Sequence, residues 1–171
     1  IRVYAASQGK TATTYAQVTL EGAHGVLWDD DRQLLWRLGT EEITAYKIGG
    51  TDAKPTLKEQ TAYHVAFTDD IRSGHDLAPV YGNKDRLWIT SKTVYQYDIP
   101  SKSLVMTYDE EAVVDHNRVK GSGNFPDSNT VVMVYPNETY LVHDSDRIFV
   151  SMLEEGRFYG ITHSHSTGAY Y

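Results

Sequence analysis

His24-Gly25-Val26-Leu27-Trp28-Asp29-Asp30-Asp31-Arg32-Gln33-Leu34-Leu35-Trp36 reads as a strand, a tight polar turn and a second strand. A related run follows: His75-Asp76-Leu77-Ala78-Pro79-Val80-Tyr81-Gly82-Asn83-Lys84-Asp85-Arg86-Leu87-Trp88. In each, a His opens the unit and a Trp closes it past a turn. A strand–turn–strand unit that recurs at this spacing predicts a β-propeller. Outward from the first run, Arg32–Leu38 is its second strand, Glu42–Ile48 a third, Gly49–Pro55 a loop, and Thr56–Phe67 holds a fourth. The second run continues with strands over 85–90, 93–99 and 103–108. A third unit has candidate strands at 119–125, 130–135, 139–143 and 147–152, and Lys120 stands in the register of His24 and His75. The three anchors lie 51 and 45 residues apart, a usual blade repeat.

The expected fold is therefore all-β. About three consecutive four-stranded antiparallel blades form part of a β-propeller, an incomplete ring on its own. Residues 1–22 would end a preceding blade. Residues 23–70 and 71–112 would be blades, 113–162 a blade with a possible ring-closing strand, and 163–171 a tail. Three blades leave sheet edges and inter-blade faces open. The chain also starts in strand-like alternation (Ile1-Arg2-Val3-Tyr4). Both features predict that further blades come from upstream residues or from another chain.

Composition agrees. The 171 residues suffice for one domain with a core, and 13 Tyr and 3 Trp favour pleated strands. No window shows helical apolar spacing without turn residues interrupting it. The net charge of −7 and the lack of a basic stripe exclude duplex nucleic acid as an expected partner. An acidic surface also repels anionic membranes, and no apolar run reaches the roughly 18 residues of a spanning helix. There are no cysteines, so disulfides, thiolate catalysis and Cys-based zinc sites are excluded.

Several stretches resemble a family of uncharacterised, mostly extracellular β-propeller proteins from bacteria and fungi. They are Tyr15–Asp29, Gln33–Gly39 followed by Ala45-Tyr46-Lys47, Gly74–Val80, and Arg157-Phe158-Tyr159. The His-Gly and His-Asp blocks are the most specific parts of the resemblance. It spans about residues 1–160 and weakens in the third unit and the tail. It implies a propeller of which this region is the C-terminal half, and a secreted setting. It implies no activity.

In a propeller the first strand of each blade lines the central channel, so the entrances of those strands meet at one mouth. His24, His75 and Lys120 would then share that mouth, with Asp76 beside His75. They would either contact a ligand or bond neighbouring loops and fix blade packing. A non-catalytic binding module for a carbohydrate or protein ligand is the leading expectation. The alternative is a carbohydrate-active, polysaccharide lyase-like enzyme at the same mouth, with His24 or His75 as base and Tyr81, Arg72 or Arg118 assisting. A third reading is a purely structural or assembly domain.

Other groups carry weaker signals. His163 and His165 would share a face of a strand and could ligate a metal with His143, Asp144 or Asp146. Asp29-Asp30-Asp31 lacks the spacing of a calcium loop and reads as a solvated turn. Asn137-Glu138-Thr139 is an N-glycosylation acceptor. Trp28, Trp36 and Trp88 read as core between blades, with sugar stacking the alternative. No nucleophile elbow, phosphate loop, dinucleotide fingerprint or His-Glu-x-x-His motif is present, and no cofactor is expected.

Overall fold

The computed structural model describes residues 1–105 and 119–124, and the strand backbones of 131–135, 138–142 and 147–151. Among these residues there is no α-helix, only 3-10 turns at Ala6–Gln8 and Thr61–Tyr63. The chain is all-β and built of successive antiparallel sheets, consistent with an incomplete propeller-like fold.

A short hairpin comes first, β1 (Arg2–Tyr4) against β2 (Tyr15–Gln17). The first large sheet is β3 (Gly25–Asp29), β4 (Leu34–Leu38), β5 (Glu42–Thr51) and β6 (Lys54–Glu59), in that order, with β7 (Val65–Ala66) also on β5. The second sheet is β8 (Asp76–Pro79), β9 (Arg86–Thr90), β10 (Val94–Asp98) and β11 (Ser103–Val105). The third is β12 (Gly121–Asn124), β13 (Val131–Tyr135), β14 (Glu138–Val142) and β15 (Arg147–Ser151). Each sheet follows chain order, because short turns join only adjacent antiparallel strands.

Local chemistry sets these turns. In the β3–β4 turn the Arg32 N–H donates to Asp29 Oδ1 at 3.0 Å, and Gln33 takes a left-handed φ of 55°. In the β10–β11 turn the Ser101 N–H donates to Asp98 Oδ1 at 2.9 Å. The expected loop at Gly49–Pro55 is instead strand. β5 continues to Thr51 and turns at Asp52-Ala53, and Gly49 and Gly50 pair with Thr56 and Pro55. Gly50 sits at φ 86°, which a glycine adopts without strain, so the ladder is kept where a side chain would have broken it. The expected fourth strand is split into β6 and β7 by the turn at Thr61–Tyr63.

The core lies between the first two sheets. Trp36, Leu38, Ile43, Ile89 and Tyr97 are fully buried, with Tyr97 edge-on to Trp36 at 5.5 Å between ring centres. Burying each such side chain stabilises the fold by about 1.5–3 kcal/mol. β4 and β9 are rich in apolar residues, and most of their side chains are buried. The first strands of these two sheets come close together. A Cβ at Gly25 would lie 2.8 Å from Leu77 Cβ, so only glycine lets β3 meet β8. β12 then lies against β8 and β9, through contacts described next.

Candidate functional site

Three strand entrances are brought to one end of the molecule. The His24 N–H donates to Leu38 O at 3.1 Å and the His75 N–H to Thr90 O at 2.7 Å, so each histidine extends the ladder of its own innermost strand by one residue. The connection before β8 crosses the same end. Its Phe67 and Ser73 N–H groups donate to Glu41 O and Thr40 O, at 2.7 and 2.8 Å. Gly74 fits against the Gly39 carbonyl, which a Cβ would approach to 2.5 Å. This strap delivers His75 to a place beside His24.

The side chains then meet. The two imidazoles stand edge to face, with ring centres 5.2 Å apart at 81°. Lys120 Nζ lies 2.9 Å from His75 Nε2 and 3.4 Å from its Nδ1, so the shorter contact is the hydrogen bond. An ammonium can only donate, so Nε2 accepts and carries no proton in this arrangement. Burial, with help from Lys120 and His24, lowers the His75 pKa below its ordinary value of 6.5 and favours that neutral ring. His24 and Lys120 are exposed and His75 half-buried, so the cluster faces solvent on a supported base.

Asp76 follows His75 but turns inward, between β8 and β12. Its Oδ2 accepts the Ser122 N–H at 3.4 Å, and burial raises its pKa above 3.8 against the lowering effect of the Ser122 and Leu77 N–H groups. Among the described residues no carboxylate pairs with Lys120. Among those residues its ammonium is held by the His75 imidazole alone.

The other expected residues lie elsewhere. Tyr81 is 52% exposed but follows the far end of β8, six residues from His75, or about 20 Å at the rise of an extended chain. It does not lie at the histidine end. Arg72 is at the histidine end and is paired with Asp69 at 3.0 Å and Glu41 at 3.6 Å. Arg118, His143, Asp144, Asp146, His163, His165 and Asn137 lie outside the described residues, Asn137 falling between the end of β13 and the start of β14. The Asp29–Asp31 turn gathers donors. Asp29 accepts from Trp36 Nε1 at 3.2 Å, Asp30 from Gln33, and Asp31 pairs with Lys84 at 2.8 Å. No metal-holding group of His, Asp or Glu occurs among the described residues.

Trp36 and Trp88 are core as expected, whereas Trp28 is 43% exposed. Alternation in β3 sends Leu27 toward the second sheet and Trp28 to the outer face, which no described sheet covers. Asn124 is the residue that sequence reasoning missed. Its Oδ1 accepts both Trp88 Nε1 and the Tyr81 N–H at 3.0 Å, and its Nδ2 donates to Tyr81 O at 2.9 Å. It clasps the second sheet to the third. The far end also carries a cavity of about 200 Å³ between the β3–β4 and β8–β9 turns, lined in part by Trp28, Asp30, Pro79 and Lys84.

Residues 8–148 match a family of unknown function, DUF6528. The chain belongs to that family. Within DUF6528 the matched span holds His24, His75, Asp76 and Lys120 together, and every described strand of the first sheet. A search of the curated proteins found no match. No helix among the described residues is long and apolar enough to cross a membrane.

Proposed function

We propose that this chain is part of a secreted β-propeller and serves as a non-catalytic binding module, with a carbohydrate or protein ligand at the mouth formed by His24, His75 and Lys120. One observation carries this reading. Three polar side chains, His24, His75 and Lys120, from the entrances of three successive sheets converge on one solvent-facing point, and among the described residues Lys120 has no carboxylate partner. Convergent polar groups on rigid strands are what a binding site requires. Asp76 supports it from below as an acceptor.

The same reading assigns the exposed Val26 and Trp28 to contact with a further blade. Leu77, at the position matching Val26 in the second sheet, is covered by the first sheet in that way. The lyase-like alternative loses Tyr81, which sits at the other end of β8.

The test is a glycan array followed by calorimetry on the wild type, His24→Ala and His75→Ala, with circular dichroism to check folding. Binding lost with the fold intact supports the module. Unchanged binding in both variants overturns it, as does release of an unsaturated, ultraviolet-absorbing product from a uronate polymer.

A further inference from the structure

We infer that the ligand of this mouth carries a single carboxylate on a hydroxyl-rich body, that is, the chemistry of a sugar acid. This deepens the proposed function and rests on it. Lys120 Nζ is the fixed positive charge, and it lies 2.9 Å from His75 Nε2 with no carboxylate partner among the described residues. His24, with its ring centre 5.2 Å from that of His75, adds a second imidazole donor. An incoming carboxylate can take the Lys120 proton donor that His75 now accepts from. His75 is then free to present an N–H of its own. The cluster thus offers two or three donors to one anion, and charge-assisted bonds of this kind are the strong ones.

The neighbours narrow the class further. Asp76, next to His75 in the chain, takes the N–H groups of Ser122, at 3.4 Å, and Leu77, which leaves lone pairs of its carboxylate over. A carboxylate there accepts from hydroxyls but repels a second anionic group. The chain as a whole carries a net charge of −7, which also works against polyanions. A monoanion surrounded by hydroxyl groups satisfies both constraints. A run of acidic peptide side chains or a polysulfate does not.

The experiment is a titration of the full chain at constant ionic strength with sodium glucuronate and, separately, with glucose. It follows the Cε1–H resonances of His24 and His75 in the wild type, Lys120→Gln and Lys120→Arg. Saturable movement with glucuronate, at the about millimolar affinity that a ligand of this size reaches, and none with glucose is the expected result. Lys120→Gln should weaken it at least tenfold, with most of the loss restored in Lys120→Arg. Equal affinity for glucose overturns the sugar-acid inference and leaves the binding module standing, as does an unchanged affinity in Lys120→Gln. If neither sugar moves either histidine, the inference fails, and a blank glycan array in parallel removes the binding module as well. Tighter binding of a polyglutamate peptide than of glucuronate also overturns the inference, in favour of an acidic protein partner.

Discussion

The first and second sheets carry the same repeat and live in different surroundings. Gly25–Leu38 and Asp76–Thr90 are the same ladder pair, and Leu27–Trp36 matches Ala78–Trp88, so the leading hairpins of the two sheets share one register, with one extra residue in the turn of the second. Yet Val26 is 57% exposed while its counterpart Leu77 is 6% exposed. The indole N–H groups part company too. Trp36 donates to Asp29 of its own sheet, and Trp88 donates to Asn124 of the next. At the far end the first sheet is joined to the second by charge, through Arg32 reaching Asp85 and the Lys84 carbonyl. The second is joined to the third by neutral amide bonds. In a stacked repeat, then, the pattern gives each position an inward or outward face, and the neighbour decides what that face is worth.

The sharpest way to break this comparison is to place a charge at the matched positions. Leu77→Asp buries an unpaired carboxylate between sheets and should cost about 4 kcal/mol or more, enough to unfold a domain of ordinary stability. In this chain alone, Val26→Asp should cost only about 0.5 kcal/mol, read from the urea midpoint. Similar losses from both would mean that Val26 is covered in solution. Next in size is the neutral clasp. Asn124→Ala takes an acceptor from Trp88 and leaves the Tyr81 amide and carbonyl without their shared partner, for about 2–3 kcal/mol. That loss should not respond to salt. The charged clasp should behave in the opposite way. Arg32→Gln should cost about 0.5–1 kcal/mol at low ionic strength and progressively less in about 0.5 M salt. Denaturant melts of both variants at two salt concentrations separate them.

The smallest effect is on pH. The folded pKa of His75 lies below 6.5, so the unfolded chain binds more protons in the window just under that value, and stability falls as pH drops through it. The folded pKa of Asp76 lies above 3.8, so its contribution is full below that value and is lost as pH rises through the window just over it. Together the two groups produce a shallow minimum between those ranges. Because the lowered pKa of Asp98 acts in the opposite sense over the acidic range, the two contributions are read as differences. Wild-type minus His75→Gln melting temperatures between pH 3.5 and 7.5 should fall as pH drops below 6.5, and wild-type minus Asp76→Asn should fall as pH rises above 3.8. A flat difference would count against the assignment concerned.

Much of this was legible from residues alone. Strand alternation and Asp, Gly and Ser turns located nearly every described strand within two or three residues. The shared register of His24, His75 and Lys120 followed from the repeat. The misreadings have identifiable causes. Gly49-Gly50 looks like a breaker, but a glycine at positive φ keeps a long hairpin paired. Tyr81 is six residues from His75 in sequence, yet an extended strand puts the two at opposite ends. Trp28 reads as core by its type, whereas its place in the alternation turns it to the exposed face. Asn124 gave no signal, since an asparagine that clasps two sheets looks like one that makes a turn.

The sequence by itself thus determined the fold class, the repeat, the turn positions and which residues begin each innermost strand. These depend on period-two patterning and on side chains bonding their own backbone, and both act over a few residues. Only the tertiary structure decided that Lys120 donates to His75, that Asp76 turns inward to Ser122, that Asn124 joins two sheets, and that Val26 and Leu77 differ. Those outcomes rest on contacts between residues 36 to 52 apart in the chain. Such contacts are set by how closely neighbouring sheets approach, as at Gly25 against Leu77, and no local pattern encodes that distance.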